Sequence, residues 1–503
     1  MESNDLVNLL PLLVVTIGAI FLMLLSTFSS VSMKKGAFYS LAFLSVALIS
    51  NLYNLNSSSD IYSSYPYVDI FKKMIIVDTY SGYYSSILLS GAIFTLLIGL
   101  QYLEKHKEFT VEFLSLFLFS VLGMMLLVHA NELITGFIAL EIASVSMYVM
   151  IGFQKVLDKR VEASYRYLVL GSLAGIFFLL GASFIYAATQ TTKIGEIGEF
   201  VLNNADKDMS LLIIGATMIL ITFLFKIAAF PFQNWVLDVY DGAPLPVTAF
   251  MAATFKIAIF GFILRLVLVD FSSIRDFWDE MLYAIIIATL AYGSFLAIIQ
   301  TSIKRMLVAS SIVHTGYLLI AFISIGIVGE NAASSIIFYL VAYFLSAIGA
   351  FGIISFISSD EKLRITYDDF KGFAHAYPYR AAMLSVFMLS LAGIPSTIGF
   401  IGKFYIFTSA IEAGYTILAV IGIIATFISV YYYFKLIAIM YFYPSPKKVV
   451  DVIPFSGIGS VVIGLITFII IWGGIGNTLI SYFPGVDFLI DMAKLSYESL
   501  FFR

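Results

Sequence analysis

Residues 209–240 read MSLLIIGATMILITFLFKIAAFPFQNWVLDVY, an apolar run with one lysine, Lys226, near its middle and one proline, Pro231, shortly after it. About twenty apolar residues suffice to cross a bilayer, so this run has length to spare. Pro231 lacks a backbone donor and crowds the turn before it, and the run therefore reads as a membrane helix broken in two. Backbone groups freed at that depth are tolerable only where protein or water satisfies them. A second long run, residues 381–411, repeats the design, with Gly393-Ile394-Pro395 near its centre and Lys403 beyond. The correspondence hints at two repeated halves, each with its own half-channel.

Outward from these two runs the rest of the chain is of one kind. Of its 503 residues 61% are hydrophobic and 12% charged, about half the charge of a soluble domain. Apolar runs begin near Leu6, Gly36, Ile75, Val111, Leu133, Ala163, Met209, Val247, Met281, Met306, Ala332, Ala381, Gly414 and Phe455. They predict an all-α polytopic membrane protein with about fourteen spans, forming one membrane domain over residues 1–503. Two antiparallel-related halves are expected over about 110–270 and 277–443, and residues 483–503 should lie along the surface. A soluble enzyme and a single-span receptor are both excluded. Net charge is −4, which gives no sign of nucleic-acid binding. The chain has no cysteine, so disulfides, thiolate-held clusters, cysteine zinc sites and thiol catalysis are excluded. No Lys or Arg precedes Lys34, so the first run lacks the basic flank of a cleaved signal and is expected to be retained as a span.

Fourteen spans place both termini on one side. The opposite loops hold 15 of the 28 basic residues, among them Lys34, Lys105, Lys159, Lys304, Arg305 and Lys371, against 7 on the terminal side, including Lys72, Lys73, Lys193 and Lys494. The positive-inside rule then puts both termini outside the cell membrane. Six basic residues remain within spans. Arg166, Arg265 and Lys435 sit near span ends, where snorkelling is the simple reading. Lys226, Lys256 and Lys403 do not. Glu141 and His314 share their depth. A lysine at mid-membrane costs about 2.5–3.5 kcal/mol on insertion scales, so three cost roughly 8–10 kcal/mol. The bland alternatives are that Glu141 merely neutralises a lysine and that His314 is a hydrogen-bonded core histidine. The functional reading is a chain of proton-exchanging groups, since burial disfavours a charged lysine and a nearby carboxylate favours it. A solute transporter would instead line its cavity with varied polar groups, and this interior is lysine-rich.

The stretch Phe225 to Trp235, continuing Asp238 to Thr248 with Asp241-Gly242-Ala243-Pro244-Leu245-Pro246, resembles the signature of the antiporter-like subunits of respiratory complex I. Ala139-Leu140-Glu141-Ile142-Ala143-Ser144 looks like that family's fifth-helix glutamate segment, and Gln300 to Tyr317, with His314, is similar to its ninth-to-tenth-helix motif. Ala392 to Phe404 resembles its broken twelfth helix. Lys403, Glu162 to Gly171 and Ser429 to Tyr433 look like the N-type branch rather than the M-type, and the stretch after the last span is too short for the lateral helix of the L-type. Two departures stand out: Gln233 replaces the usual histidine, leaving a hydrogen-bonding role, and Ser396 replaces a second proline, with little effect expected.

The resemblance implies proton transfer through Glu141, Lys226, Lys256, His314 and Lys403, with Glu141 and Lys226 on facing helices; from its place past the midpoint of its run, Lys403 is expected nearest the outer face. It implies no cofactor or metal on this chain, and flavin, iron–sulfur clusters and quinone on partner subunits. K-type and M-type membrane subunits are the expected neighbours, in the inner membrane of a bacterial or archaeal cell. Three alternatives stay open: a subunit of a multi-subunit cation/proton antiporter, a related complex with another electron donor such as a reduced deazaflavin or ferredoxin, and a passive scaffold.

Overall fold

A computed structural model describes residues 3–57, 68–154, 158–204, 209–269, 276–357, 365–444, 457–479 and 485–501. Lys155, Lys207, Arg275, Lys362, Arg364, Lys447, Lys448 and Arg503, all counted in the charge balance, lie outside the described residues. Among the described residues the helices make fourteen crossings. Six precede the first break: Ser3–Phe28, Met33–Ser57, Thr79–Lys105, Val111–His129, Leu133–Ile151 and Asp158–Thr189. The seventh is split into Ser210–Lys226 and Val236–Gly242. The eighth runs from Leu245–Phe250 through a π turn, Met251–Phe255, into Lys256–Val269. Asp276–Ile299, Ile303–Val328 and Glu330–Ile357 follow, then the split twelfth, Pro378–Ala392 and Ile398–Glu412, and finally Thr416–Phe442 and Ile458–Leu479. Twelve crossings are unbroken helical runs long and apolar enough to span a membrane, and the two split crossings supply the rest.

The split crossings stand five apart, so they run in opposite directions. Backbone stitches between loops recur with the same offset. Glu132 bridges Lys193, joining the connections after the fourth and sixth spans at the end of the bundle where the chain starts. Ser302 bridges Thr366, joining the connections after the ninth and eleventh at the other end. This is inverted repetition.

The eighth and eleventh spans are wholly enclosed by other helices, and they form the axis around which the rest are arranged. Glycine lets neighbours close on one another: a Cβ on Gly181 would lie 2.5 Å from the Gly215 carbonyl oxygen and one on Gly215 2.6 Å from that of Gly181, so the sixth and seventh spans touch backbone to backbone. A Cβ on Gly99 of the third span would lie 2.9 Å from Pro246 of the eighth.

Three local features correct or add to the sequence expectations. The third span does not begin near Ile75. Ile75–Val77 pairs antiparallel with Val68–Ile70, around a turn in which Phe71, Lys72 and Lys73 all take left-handed φ. A run of three apolar residues cannot by itself tell strand from helix. The helix starts at Thr79, capped by Asp78, whose Oδ1 accepts from the Ser81 amide at 2.7 Å while Ser81 Oγ accepts from the Asp78 amide. Second, the polar stretch after the sixth span contains the amphipathic helix Ile194–Asn203, with Ile194, Ile197 and Val201 buried. Third, Arg265 does not snorkel. Its guanidinium is fully buried and grips Asp78 with two bonds, 2.7 and 3.0 Å, while donating to the Val128 carbonyl and lying 4.9 Å from the Tyr80 ring. The eighth span has no lipid-facing side along which a side chain could reach the interface. Arg166, by contrast, is exposed, on Glu162 and Asp238, and Lys435 lies over the Tyr367 ring. The described part of the C-terminal segment, helix Val486–Glu498, folds back on the eleventh and third spans, where Ser499 Oγ accepts from the Tyr80 amide.

Candidate functional site

Lys226, Lys256, His314 and Lys403 are each no more than 3% exposed. Lys226 is the last residue of the first half of the seventh span. Its ammonium donates to Ser144 Oγ at 2.8 Å and to Tyr148 Oη at 3.3 Å and faces the rings of Tyr148 and Tyr167. The sequence reading paired it with Glu141. In direct contact with the ammonium are Ser144 and Tyr148, one and two turns along the fifth span from Glu141, while Glu141 acts on it electrostatically without a direct contact. Glu141 is half-buried on that same stripe, and its Oε1 has no hydrogen-bond partner among the described residues.

Lys256 opens the helix that follows the π turn. Such turns widen a helix by one residue and concentrate at functional sites. Its ammonium donates to the Ser311 carbonyl at 2.7 Å and to Thr315 Oγ1 at 2.9 Å, both on the tenth span, with the Tyr343 ring 5.5 Å away. One residue before Thr315, His314 has Tyr339 Oη 2.6 Å from Nδ1 and Tyr433 Oη 3.1 Å from Nε2. Tyr317 and Tyr343 close the imidazole in.

Lys403 lies inside the second half of the twelfth span, but helical side chains lean towards the N-terminus, and its ammonium reaches back to the break. It donates to the carbonyls of Leu391 and Ala392, both at 3.0 Å, and sits 4.8 Å from the Tyr317 ring. The outer placement expected from its position along the chain is thus corrected: the charge sits at the break itself. Gly393 makes this possible. It ends the first half-helix with φ +78°, and a Cβ there would lie 2.7 Å from Lys403 Cδ. Ser396 has φ +72°, which a proline ring, fixed near −65°, could not adopt. The serine therefore shapes the break rather than leaving it unchanged. Gln233 is buried, and its Oε1 has no partner among the described residues.

The tenth span gathers the site. Ser311, His314, Thr315 and Tyr317 reach Lys256, the tyrosines and Lys403 from one helix, so three of the five expected residues, Lys256, His314 and Lys403, gather around one helix, while Lys226 sits with Ser144 and Tyr148 and is linked to that group through the Ile227 carbonyl that Thr315 reaches. Missed by the sequence reading were Ser144, Tyr148, Thr315, Tyr339 and Tyr343, which supply the hydroxyls and rings between the charges. The signal was composition: 31 tyrosines in so apolar a chain. Also missed was the ion network on the second half of the seventh span. Asp238 and Asp241 bind Arg166, Lys159 and Arg305 at 2.8–3.4 Å, and Lys304 caps the carbonyls of Asp241 and Ala243. Lys159, Lys304 and Arg305 looked like ordinary loop charges, and Arg166 like a snorkelling one.

A family profile described as NADH:quinone oxidoreductase/Mrp antiporter, transmembrane, matches residues 130–429. NADH-quinone oxidoreductase subunit N of Trichlorobacter lovleyi is 40% identical over 381 residues, 76% of this chain and 78% of that protein. Subunit N 1 of Solibacter usitatus is 34% identical over 99% of this chain and 98% of its own length. A chain of respiratory complex I from Thermus thermophilus, with bound aureothin, superposes with TM-score 0.77 at 28% identity, over 93% of this chain and 98% of that one. A chain of the Mrp complex from Dietzia sp. has TM-score 0.84 at 17% identity, over 99% and 98%; that likeness shows the fold alone. Sequence decides where the fold does not: the chain belongs to the NADH:quinone oxidoreductase/Mrp antiporter membrane-subunit family and, within it, stands with the proton-translocating N subunits of NADH-quinone oxidoreductase.

Proposed function

We propose that this chain moves protons along the row Glu141, Lys226, Lys256, His314 and Lys403 while the redox reaction runs on partner subunits, which hold the flavin, iron–sulfur clusters and quinone. Residues 110–270 and 277–443 act as two half-channels of opposite direction that meet at Lys256 and His314. K-type and M-type membrane subunits flank the chain, in the inner membrane of a bacterial or archaeal cell with both termini outside.

The observation that carries this reading is the set of three lysines buried at two helix breaks and one π turn, in contact, among the described residues, with neutral hydroxyls, carbonyls and tyrosine rings and with no carboxylate. Lysines kept only for packing would be cheaper as apolar residues, and a lysine without a fixed counter-charge is one whose proton is easily moved. A membrane potential of 150 mV opposes each proton by about 3.5 kcal/mol, which must arrive through contacts with neighbouring subunits. In reconstituted vesicles Glu141→Gln is expected to lower the number of protons moved per electron while the complex assembles. Wild-type stoichiometry in that variant would remove Glu141 from the path.

A further inference from the structure

In an unbroken helix the carbonyl of Ile227 would accept from the amide of residue 231. That residue is Pro231, which has none, so the break leaves the Ile227 carbonyl at the membrane centre needing a donor. The donor comes from another span: Thr315 Oγ1 gives its proton to the Ile227 oxygen at 2.9 Å. The same Oγ1 accepts from Lys256 at 2.9 Å and lies 3.1 Å from the Ser311 carbonyl, which Lys256 also engages. One hydroxyl therefore touches both the lysine of the eighth span and the residue that follows the lysine of the seventh.

We propose that Thr315 is a positioning residue that reports the charge of Lys256 to the break beside Lys226. The inference rests on the proton-transfer reading above. A threonine hydroxyl has one proton to donate. While Lys256 is an ammonium it can only donate, so Thr315 accepts from it and its own proton goes to a carbonyl, the nearer being that of Ile227 at 2.9 Å and the other that of Ser311 at 3.1 Å. When Lys256 passes a proton to the next group along the row, its nitrogen gains a lone pair and becomes an acceptor. The Thr315 hydroxyl then turns to it, and the Ile227 carbonyl loses its donor. No covalent bond forms or breaks in this exchange; one hydrogen bond moves from Ile227 to Lys256. The peptide that relaxes joins Ile227 to Ala228, one residue beyond Lys226, whose ammonium holds Ser144 and Tyr148. Discharge at Lys256 thereby loosens the seat of Lys226, and recharging restores it, so the two lysines are coupled without touching.

The test uses the whole assembled complex in vesicles, following electron transfer and interior acidification together. Thr315→Val keeps the shape and removes the hydroxyl, and Thr315→Ala removes it with less bulk should valine disturb assembly. A hydrogen bond to a charged group is worth enough to predict an about tenfold fall in coupled turnover for either variant, with Thr315→Ser restoring at least most of it. Wild-type turnover and stoichiometry in the Val or Ala variant would overturn the proposal, as would a serine variant as impaired as valine. Lys256→Met serves as the control. If it is impaired while Thr315→Val is not, only the role of Thr315 fails; if Lys256→Met pumps normally, the proton-transfer reading itself fails.

Discussion

Lys403 starts six residues into its half-helix yet delivers its ammonium to the carbonyls of Leu391 and Ala392. In that position it does two things at once: it caps the exposed end of the preceding half-helix, where positive charge is favoured, and it offers a proton at the break. These roles can be separated. Lys403→Ala removes both, and Lys403→Arg keeps the positive cap but cannot release a proton. Both substitutions are expected to lower coupled turnover and pumping together. If the residue were only a cap, arginine would be the milder change, so full pumping in the arginine variant would show that Lys403 does not cycle its proton. Reading depth from chain position alone misplaced this charge, because about a turn of side-chain length points back along the helix.

At the scale of elements, the crossings were legible because hydropathy and length carry that signal, and both breaks were legible from Pro231 and Gly393-Ile394-Pro395. What sequence could not supply was which neighbour a side chain meets. Arg265 sits in the last part of its span, and only the enclosure of that span on all sides turns it from a snorkelling residue into a buried clamp on Asp78. The clamp ties the start of the third span to the helix that carries Lys256. Removing one partner leaves the other charged and buried, so Asp78→Asn or Arg265→Gln alone should cost about 3–5 kcal/mol, seen as a lower melting temperature of the complex. The double variant should melt above either single one. Additive losses would show that the two groups act independently. The hydroxyls around the lysines were illegible for a related reason: a serine or tyrosine at helical spacing looks the same in sequence whether it faces lipid, a core or an ammonium.

For the whole molecule, the recurrence of loop stitches on opposite ends fits the sequence expectation of two antiparallel halves, and it makes orientation testable. Lys159 begins the sixth span and Lys193 follows it, and both side chains are well exposed, 57% and 37%. The chain has no cysteine, so single cysteines at these positions give clean reporters. An impermeant maleimide should label position 193 in intact cells and position 159 only after permeabilisation. Labelling of both from the same side would mean that the number of crossings between them is even, and the topology would have to be redrawn.

The π turn at Met251–Phe255 has a consequence of phase. A π turn carries one residue more than an α turn needs, and each residue advances an α-helix by about 100°. The eighth span is therefore two helical lattices out of register by that angle. The upstream lattice is indexed to the third span, where Pro246 lies against Gly99; the downstream lattice is indexed to the tenth, where Lys256 meets Ser311 and Thr315. In a perfect α-helix these two alignments would be incompatible: seating Pro246 would aim the lysine a quarter-turn or more away from its partners, and seating the lysine would lift Pro246 off the glycine. The surplus residue absorbs the discrepancy, letting a single crossing keep appointments with two neighbours whose periodicities disagree.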